Sequence, residues 1–421
     1  MSDFARIATW SIAALAVLGV ITRPKTWSEA WWAASGAVAL VVFSLIPISD
    51  ALAAVARGTD VYLFLIGMML LAELGRREGL FDWLAAYALE HARGAASRLF
   101  LLIYAVGTLV TIFLSNDATA VVLTPAVYAA AKHARAPAVP YLLICAFIAN
   151  AASFVLPISN PANLVVFGSH MPPLTGWLRE FGTASVVSIV ATYVLLRFTQ
   201  RHELVREVAG ASGRPALGVP GQITAIALAL TAVVLLAASL LGWQLGLPTC
   251  SCGLGAWLLV TLLNRQAPWP VLGQITWSVL PLVAGLFVLA QGVENTGVLS
   301  SLTRLYSELA RAAPATAALL AGTAVALGSN FINNLPMGLV AQTVASSAQL
   351  PAHATGALLI GVDLGPNLSV TGSLATILWL VAIRREGLNV RARDFLAVGA
   401  LVMPLPLILS LLTLIATALK N

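Results

Sequence analysis

The chain has 421 residues, of which 59% are hydrophobic and only 10% charged, and its mean hydropathy is +0.91. That composition lies outside the range of soluble globular domains and leaves no room for one between the apolar runs. A net charge of +6 would point a soluble protein towards nucleic acid. Here the basic residues stand in short segments beside apolar runs, where they set membrane orientation, so no nucleic-acid partner is implied.

Windows of roughly 20 apolar residues, long enough to cross the hydrocarbon as helices, recur from Phe4 to Leu419 and predict a polytopic, all-α integral membrane protein. The first, 4–22, follows no basic stretch and ends at Arg23 and Lys25 without a small-residue cleavage site, so it reads as a span and not as a signal peptide. "WSEAWW" (27–32) reads as an interfacial aromatic belt, and 31–46 and 54–73 as two further spans. Next, apolar arms at 97–114 and 118–131 meet at Ser115, Asn116 and Asp117. The second arm is too short to cross with margin, which predicts a re-entrant hairpin with its tip at mid-depth. "LPISNPANLVVFG" (156–168) interrupts the following apolar segment, and 177–199 is again an ordinary span.

A polar, Gly- and Pro-rich linker, 199–221, then separates two halves that correspond at an offset of 218 residues. The offset lays 4–22 on 222–240, 31–46 on 249–264, 54–73 on 272–291 and 177–199 on 395–417. It also lays Gly79 on Gly297, and Ser115 and Asn116 on Asn333 and Asn334. The expected architecture is two inverted repeats, 1–198 and 222–421, each of five spans plus one re-entrant hairpin, ten spans and two hairpins in all. With hairpins, seventeen Lys and Arg fall on one side of the membrane and six on the other. Both termini are therefore expected outside the cytoplasm, and the linker inside.

Polar, non-helical backbone at membrane depth survives only where it is buried in protein or lines a watered cavity. Four such places occur: the tips Ser115–Thr119 and Asn333–Pro336, and the interrupted segments 156–168 and 362–377. They offer Ser115, Asn116, Asn160, Asn163, Asn333, Asn334, Asn367, Thr371 and Ser373 as neutral donors and acceptors, with Ser369 besides, and none contains Lys or Arg. That lining favours a neutral, hydroxyl-rich solute over a multivalent anion. Asp117 and Asp363 are the two carboxylates inside these places. Burial of a carboxyl favours its protonated form, so both are candidate proton-coupling residues as well as candidate helix caps.

Other residues carry less. Glu73 and Glu294 are expected as snorkelling interfacial carboxylates, and His170, His202 and His353 as solvated loop residues. Cys145, Cys250 and Cys252 suggest no disulfide framework, and Cys250-x-Cys252 reads as small apolar residues in a helix before it reads as a metalloid ligand. No Walker motif, metal-ligand cluster or nucleophile–base arrangement is present, so neither a cofactor nor an enzymatic reaction is expected.

"FLSNDATAVVLTP", "ISNPANLV", "FINNLPMGLV" and "GVDLGPNLSVTGSLATILWL" resemble the signature segments of ArsB, the bacterial arsenite/antimonite efflux permeases of the ion transporter superfamily. The resemblance implies efflux of trivalent arsenic and antimony as neutral hydroxides across the inner membrane in exchange for protons, in some members with a soluble ArsA-type ATPase as partner. It also implies an elevator, with scaffold spans at 4–93 and 222–311 and transport parts at 97–198 and 312–419. The family pattern has Asp where this chain has Asn150, which leaves Asp117 and Asp363 to carry the proton. A sodium-coupled carboxylate symporter or sodium/proton antiporter of the same superfamily is the alternative expectation, and a channel or non-transporting receptor a remote third.

Overall fold

The computed structural model describes residues 2–22, 27–205, 207–209, 216–264, 267 and 269–419. Arg23, Lys25, Arg206, Arg214, Arg265 and Lys420, all part of the charge balance above, lie outside the described residues.

The described chain is helical throughout, and its single β-type pairing is an isolated bridge between Ala95 and Glu207. The first half begins with α1 (Asp3–Thr22), α2 (Glu29–Val42), α3 (Ile48–Arg57), α4 (Thr59–Arg77) and α5 (Leu80–Ala92). The segment expected as a hairpin follows as α6 (Ala96–Phe113), a short α7 (Asn116–Ala118), a π-helical turn (Thr119–Leu123) and α8 (Thr124–His133). After it come α9 (Ala138–Ala151), α10 (Pro161–Phe167) and α11 (Leu174–Thr199).

The second half repeats the order with α12 (Val219–Leu240), α13 (Gly246–Leu263), α14 (Trp269–Gln274), α15 (Val279–Asn295) and α16 (Val298–Ala312). Then come the hairpin helices α17 (Pro314–Ile332) and α18 (Asn334–Ser347), followed by α19 (Ala352–Leu364), α20 (Leu374–Arg385), α21 (Ala392–Val402) and α22 (Pro404–Ala418). Gly79 and Gly297, aligned by the 218-residue offset, both take left-handed backbone (φ 73° and 81°) ahead of α5 and α16, a conformation glycine adopts without a Cβ penalty.

Helix pairing is reciprocal between the halves. α4 packs on α13 and α15 on α2, so the third crossing of each half lies against the second of the other, and α11 packs on α22. Close approach of α4 and α13 rests on glycine: a Cβ on Gly253 would stand 2.6 Å from the Gly67 carbonyl oxygen. In a bilayer, where apolar burial does not separate helix from lipid, such small-residue contacts supply the packing. Exposed apolar side chains on the outer helices, among them Phe4, Leu230, Leu262 and Leu412, face the surroundings as lipid-facing residues do.

By length and composition, seven helices among the described residues can cross a membrane, eight if the α3–α4 pair, bent by 45°, counts as one. The difference from the ten spans expected has two physical sources. The interrupted segments break into pieces such as the 14-residue α9 and 12-residue α20, which fall short singly, and α2 is also 14 residues. Conversely α6 and α17, expected as hairpin arms, are 18 and 19 residues and long enough to pass on their own. Between the halves, α11 ends at Thr199 and α12 begins at Val219.

Several loops gather on one face. Val208 N donates to Gly94 O at 3.0 Å and Ala209 N to Ala134 O at 2.8 Å, docking the linker against the turns before α6 and after α8. Tyr128 Oη reaches the Glu386 carbonyl beyond α20 at 3.4 Å.

Candidate functional site

Each hairpin breaks where a short polar residue can take over backbone donors. At the first tip Ser115 is extended, and its hydroxyl accepts from Ala118 N at 3.2 Å. The π-turn behind it is tied to α6 by a 2.8 Å contact between Thr119 and Thr111 hydroxyls. At the second tip Asn333 sits at φ 74°, ψ 156°, a region that is otherwise nearly glycine-only. Its side chain accepts from Leu335 N at 3.4 Å and donates to Thr371 O at 3.3 Å, which joins the tip to the second break.

The breaks in the other two segments are held in the same way. Asn160 caps α10 by accepting from Ala162 N at 3.0 Å, with Pro161 in the first helical position, where its missing N–H costs nothing. Asn163 donates to the carbonyls of Ser153, Leu156 and Pro157 at 2.9, 3.2 and 3.3 Å, so one amide holds the unwound strand. Ser159 hydroxyl donates to Ile112 O at 3.0 Å and pins this break to α6. Ser373 and Thr376 form a capping box for α20. Asn330 accepts from Ser369 Oγ at 2.6 Å and donates to Gly365 O at 2.9 Å. A Cβ on Gly372 would meet Pro366 Cα at 2.5 Å and Asn330 Oδ1 at 2.8 Å, so only glycine fits against this knot.

With the breaks fixed, the starts of α7, α10, α18 and α20 converge. Asn116, Asp117, Asn160, Pro161, Asn334, Leu335, Leu374 and Ala375 line one small cavity, closed on the other side by Leu65 of α4 and Val279 of α15. Its volume is about 10 Å³, room for about one water. Asp117, only half-buried, also lines an adjoining vestibule of about 100 Å³ with Ser115, Ala118 and Val121. The facing wall of the vestibule is one side of α4 (Leu65, Met68, Met69, Ala72 and Glu73) together with Gln274 to Thr276. No Lys or Arg lines either compartment among the described residues.

Of the residues expected at the site, then, Asn116, Asp117, Asn160 and Asn334 share the cavity and Ser115 borders its vestibule. Asn163, Asn333, Asn367, Thr371 and Ser373 are instead ties and caps, one layer back. Asp363 is fully buried and reaches the cavity only through Asn160, whose Nδ2 donates to its Oδ1 at 2.8 Å.

Sequence reasoning missed two residues. Asn330 lies one turn before the second tip in "GSNFINNLP", a third asparagine in that run that could have flagged it. Glu73 does not snorkel: it is 8% exposed, lines the vestibule, and is gripped by Arg76 through two contacts of 2.6 and 2.7 Å. Nothing in its local sequence separates the two outcomes.

The two halves differ in charge at this place. At the 218-residue offset Asp117 meets Leu335 and Glu73 meets Gln291. The second hairpin correspondingly borders an almost wholly apolar fissure of about 460 Å³ between α18 and helices α1 and α15.

The chain matches the citrate transporter family, CitMHS, over residues 16–362. It is similar to arsenical pump membrane proteins of Escherichia coli, one 26% identical over 428 residues that take in 96% of this chain and 97% of the relative, and one of strain K12 27% identical over 432 residues (97% and 98%). An uncharacterized transporter of Mycobacterium tuberculosis is 26% identical over 389 residues, 88% of this chain and 89% of its own. Among solved structures, the YdaH transporter of Alcanivorax borkumensis has a similar fold, with a TM-score of 0.58 at 15% identity over 97% of both chains.

Proposed function

The chain belongs to the citrate transporter family CitMHS, and within it we propose that this chain is a secondary efflux permease for neutral trivalent metalloid hydroxides, arsenite and antimonite, exchanging them for protons across the bacterial inner membrane. The observation that carries this reading is the lining of the cavity: three amides and one carboxylate, with no cationic side chain. Arsenous acid is uncharged at neutral pH, and its three hydroxyls both donate and accept. Amide side chains match it without a charge to desolvate. A carboxylate anion such as citrate would enter beside Asp117 with no cation to pair it, a burial that costs several kcal/mol or more. Full-length similarity to proteins named as arsenical pumps supports the same solute.

Asp117 is the coupling group in this scheme. It is the one carboxylate that lines both cavity and vestibule, so a proton can reach it from the aqueous phase while it faces the solute. Asp363, one amide behind the cavity, is a second candidate for the proton. The cavity is smaller than the solute, so loading requires the hairpin tips to part from α4 and α15. The reciprocal packing of the halves supports an inverted repeat. The proposed transport cycle is an elevator, in which α1–α5 and α12–α16 stay fixed while the hairpins and the broken segments move.

Everted membrane vesicles test the reading. Given an inward-acid proton gradient, they should accumulate arsenite and antimonite, with citrate excluded and with no response to a sodium gradient. Uptake that follows sodium and ignores protons, or uptake of citrate in place of arsenite, overturns it.

A further inference from the structure

Behind the cavity the two broken segments meet in a closed ring of buried polar side chains. Asn150, in the last turn of α9, donates to Asn367 Oδ1 at 3.0 Å, and Asn367 follows Asp363 by one helical turn. Asp363 Oδ1 accepts from Asn160 at 2.8 Å. Asn160 Nδ2 also reaches Ser153 Oγ at 3.3 Å, and Ser153 follows Asn150 by one turn. All five residues are at most 1% exposed.

Three oxygens here have no hydrogen-bond partner: Asn150 Oδ1, Asp363 Oδ2 and, one turn beyond Asn160, Asn163 Oδ1. The amide orientations are fixed, because the Nδ2 of Asn150 donates to Ala146 O at 3.4 Å and that of Asn163 to three main-chain carbonyls. Every orphan is therefore an acceptor, and what completes them is a donor or a cation.

Charge separates the possibilities. Asp363 is the only charged side chain in the ring, and among the described residues its side-chain partner is the neutral Asn160 amide. The C-terminal carbonyl ends of α9 and α19 both fall here and add negative partial charge. A water would satisfy oxygens but leave the buried carboxylate uncompensated. A proton on Asp363 Oδ2 would cancel the charge and turn that oxygen into a donor, but one donor cannot complete both remaining acceptors, Asn150 Oδ1 and Asn163 Oδ1. A single metal ion does both, and one carboxylate among amide oxygens is too little charge for a divalent ion, which is usually held by several carboxylates or by phosphates.

We propose that this ring binds one sodium ion, between the ends of α9 and α19 and distinct from the solute cavity, and that the ion clamps the two broken segments together. The site stands on the orphan oxygens and not on the identity of the cargo. Thermal unfolding of the purified full chain in detergent, without metalloid or gradient, tests it in sodium, potassium and choline chloride at constant ionic strength, at mildly acidic and mildly alkaline pH. Sodium should raise the midpoint by several degrees in a saturable way, with potassium weaker and choline inert. Asp363→Asn should abolish the response, and Asn150→Ala, which keeps the carboxylate should Asp363→Asn fail to fold, should shift it to higher sodium. Asp117→Asn should leave it intact. Equal midpoints in all three salts, or an undiminished sodium response in both ring variants, overturn the site. Since the assay uses no metalloid, that result would leave the efflux reading standing, and a failed vesicle assay would leave the sodium site standing.

Discussion

Asp117 and Asn163 are both polar residues at a break in an apolar run, yet the structure gives them different work. Asp117 faces the cavity and vestibule, whereas Asn163 is fully buried and spends its amide on three carbonyls. Asp117→Asn should therefore abolish proton-driven arsenite accumulation in vesicles while leaving expression and thermal stability at wild-type levels; normal accumulation in that variant would reduce Asp117 to a capping residue. Asn163→Ala should do the reverse. It strips the donor from the carbonyls of the buried Ser153, Leu156 and Pro157, at a cost of about 1–3 kcal/mol in unfolding free energy. Asn116→Ala, by contrast, should weaken arsenite uptake with a smaller loss of stability than Asn163→Ala, because the hydrogen bond its side chain gives up is a local one from the Asp117 N–H and not a tie to three carbonyls.

The two breaks expected as hairpin tips occupy corresponding places in the sequence but differ in backbone. Ser115 turns the first with extended backbone, while Asn333 turns the second at φ 74°, ψ 156°. A non-glycine residue there stores about 1–3 kcal/mol of strain, offset here by the bonds to Leu335 N and Thr371 O. Both Asn333→Gly and Asn333→Ala lose those bonds, but only the glycine also relieves the strain. Asn333→Gly should accordingly unfold at a higher temperature than Asn333→Ala, by the equivalent of about 1 kcal/mol or more; identical midpoints would mean the tip is unstrained. The positions of both tips were legible in the sequence, because polar residues interrupting apolar arms are costly unless the chain turns there. Their backbone geometry was not. It depends on what each tip rests against, and Thr371 is 38 residues from Asn333.

For the molecule as a whole, the distribution of Lys and Arg predicts the linker on the cytoplasmic side. The loops bearing Arg93, Arg135 and Glu207 are joined by hydrogen bonds on one face. In a chain whose only non-buried cysteine, Cys252, is replaced by Ser, a cysteine at His202 should react with a membrane-impermeant maleimide in everted vesicles and not in intact cells. Labelling in intact cells would invert the topology.

The sequence by itself determined that the chain is a helical membrane protein, where its helices break, and that the breaks carry amides and two carboxylates. Hydrocarbon penalises unsatisfied backbone so heavily that each break leaves a visible mark in one dimension. Only the tertiary structure decided which of those residues meet. It separated Asn116, Asp117, Asn160 and Asn334, which face the cavity, from the caps and ties behind them. It turned Glu73 inward to the vestibule and closed a ring around Asp363. Such distinctions rest on helix rotation and on contacts between residues some 200 positions apart, and composition and spacing along the chain carry neither.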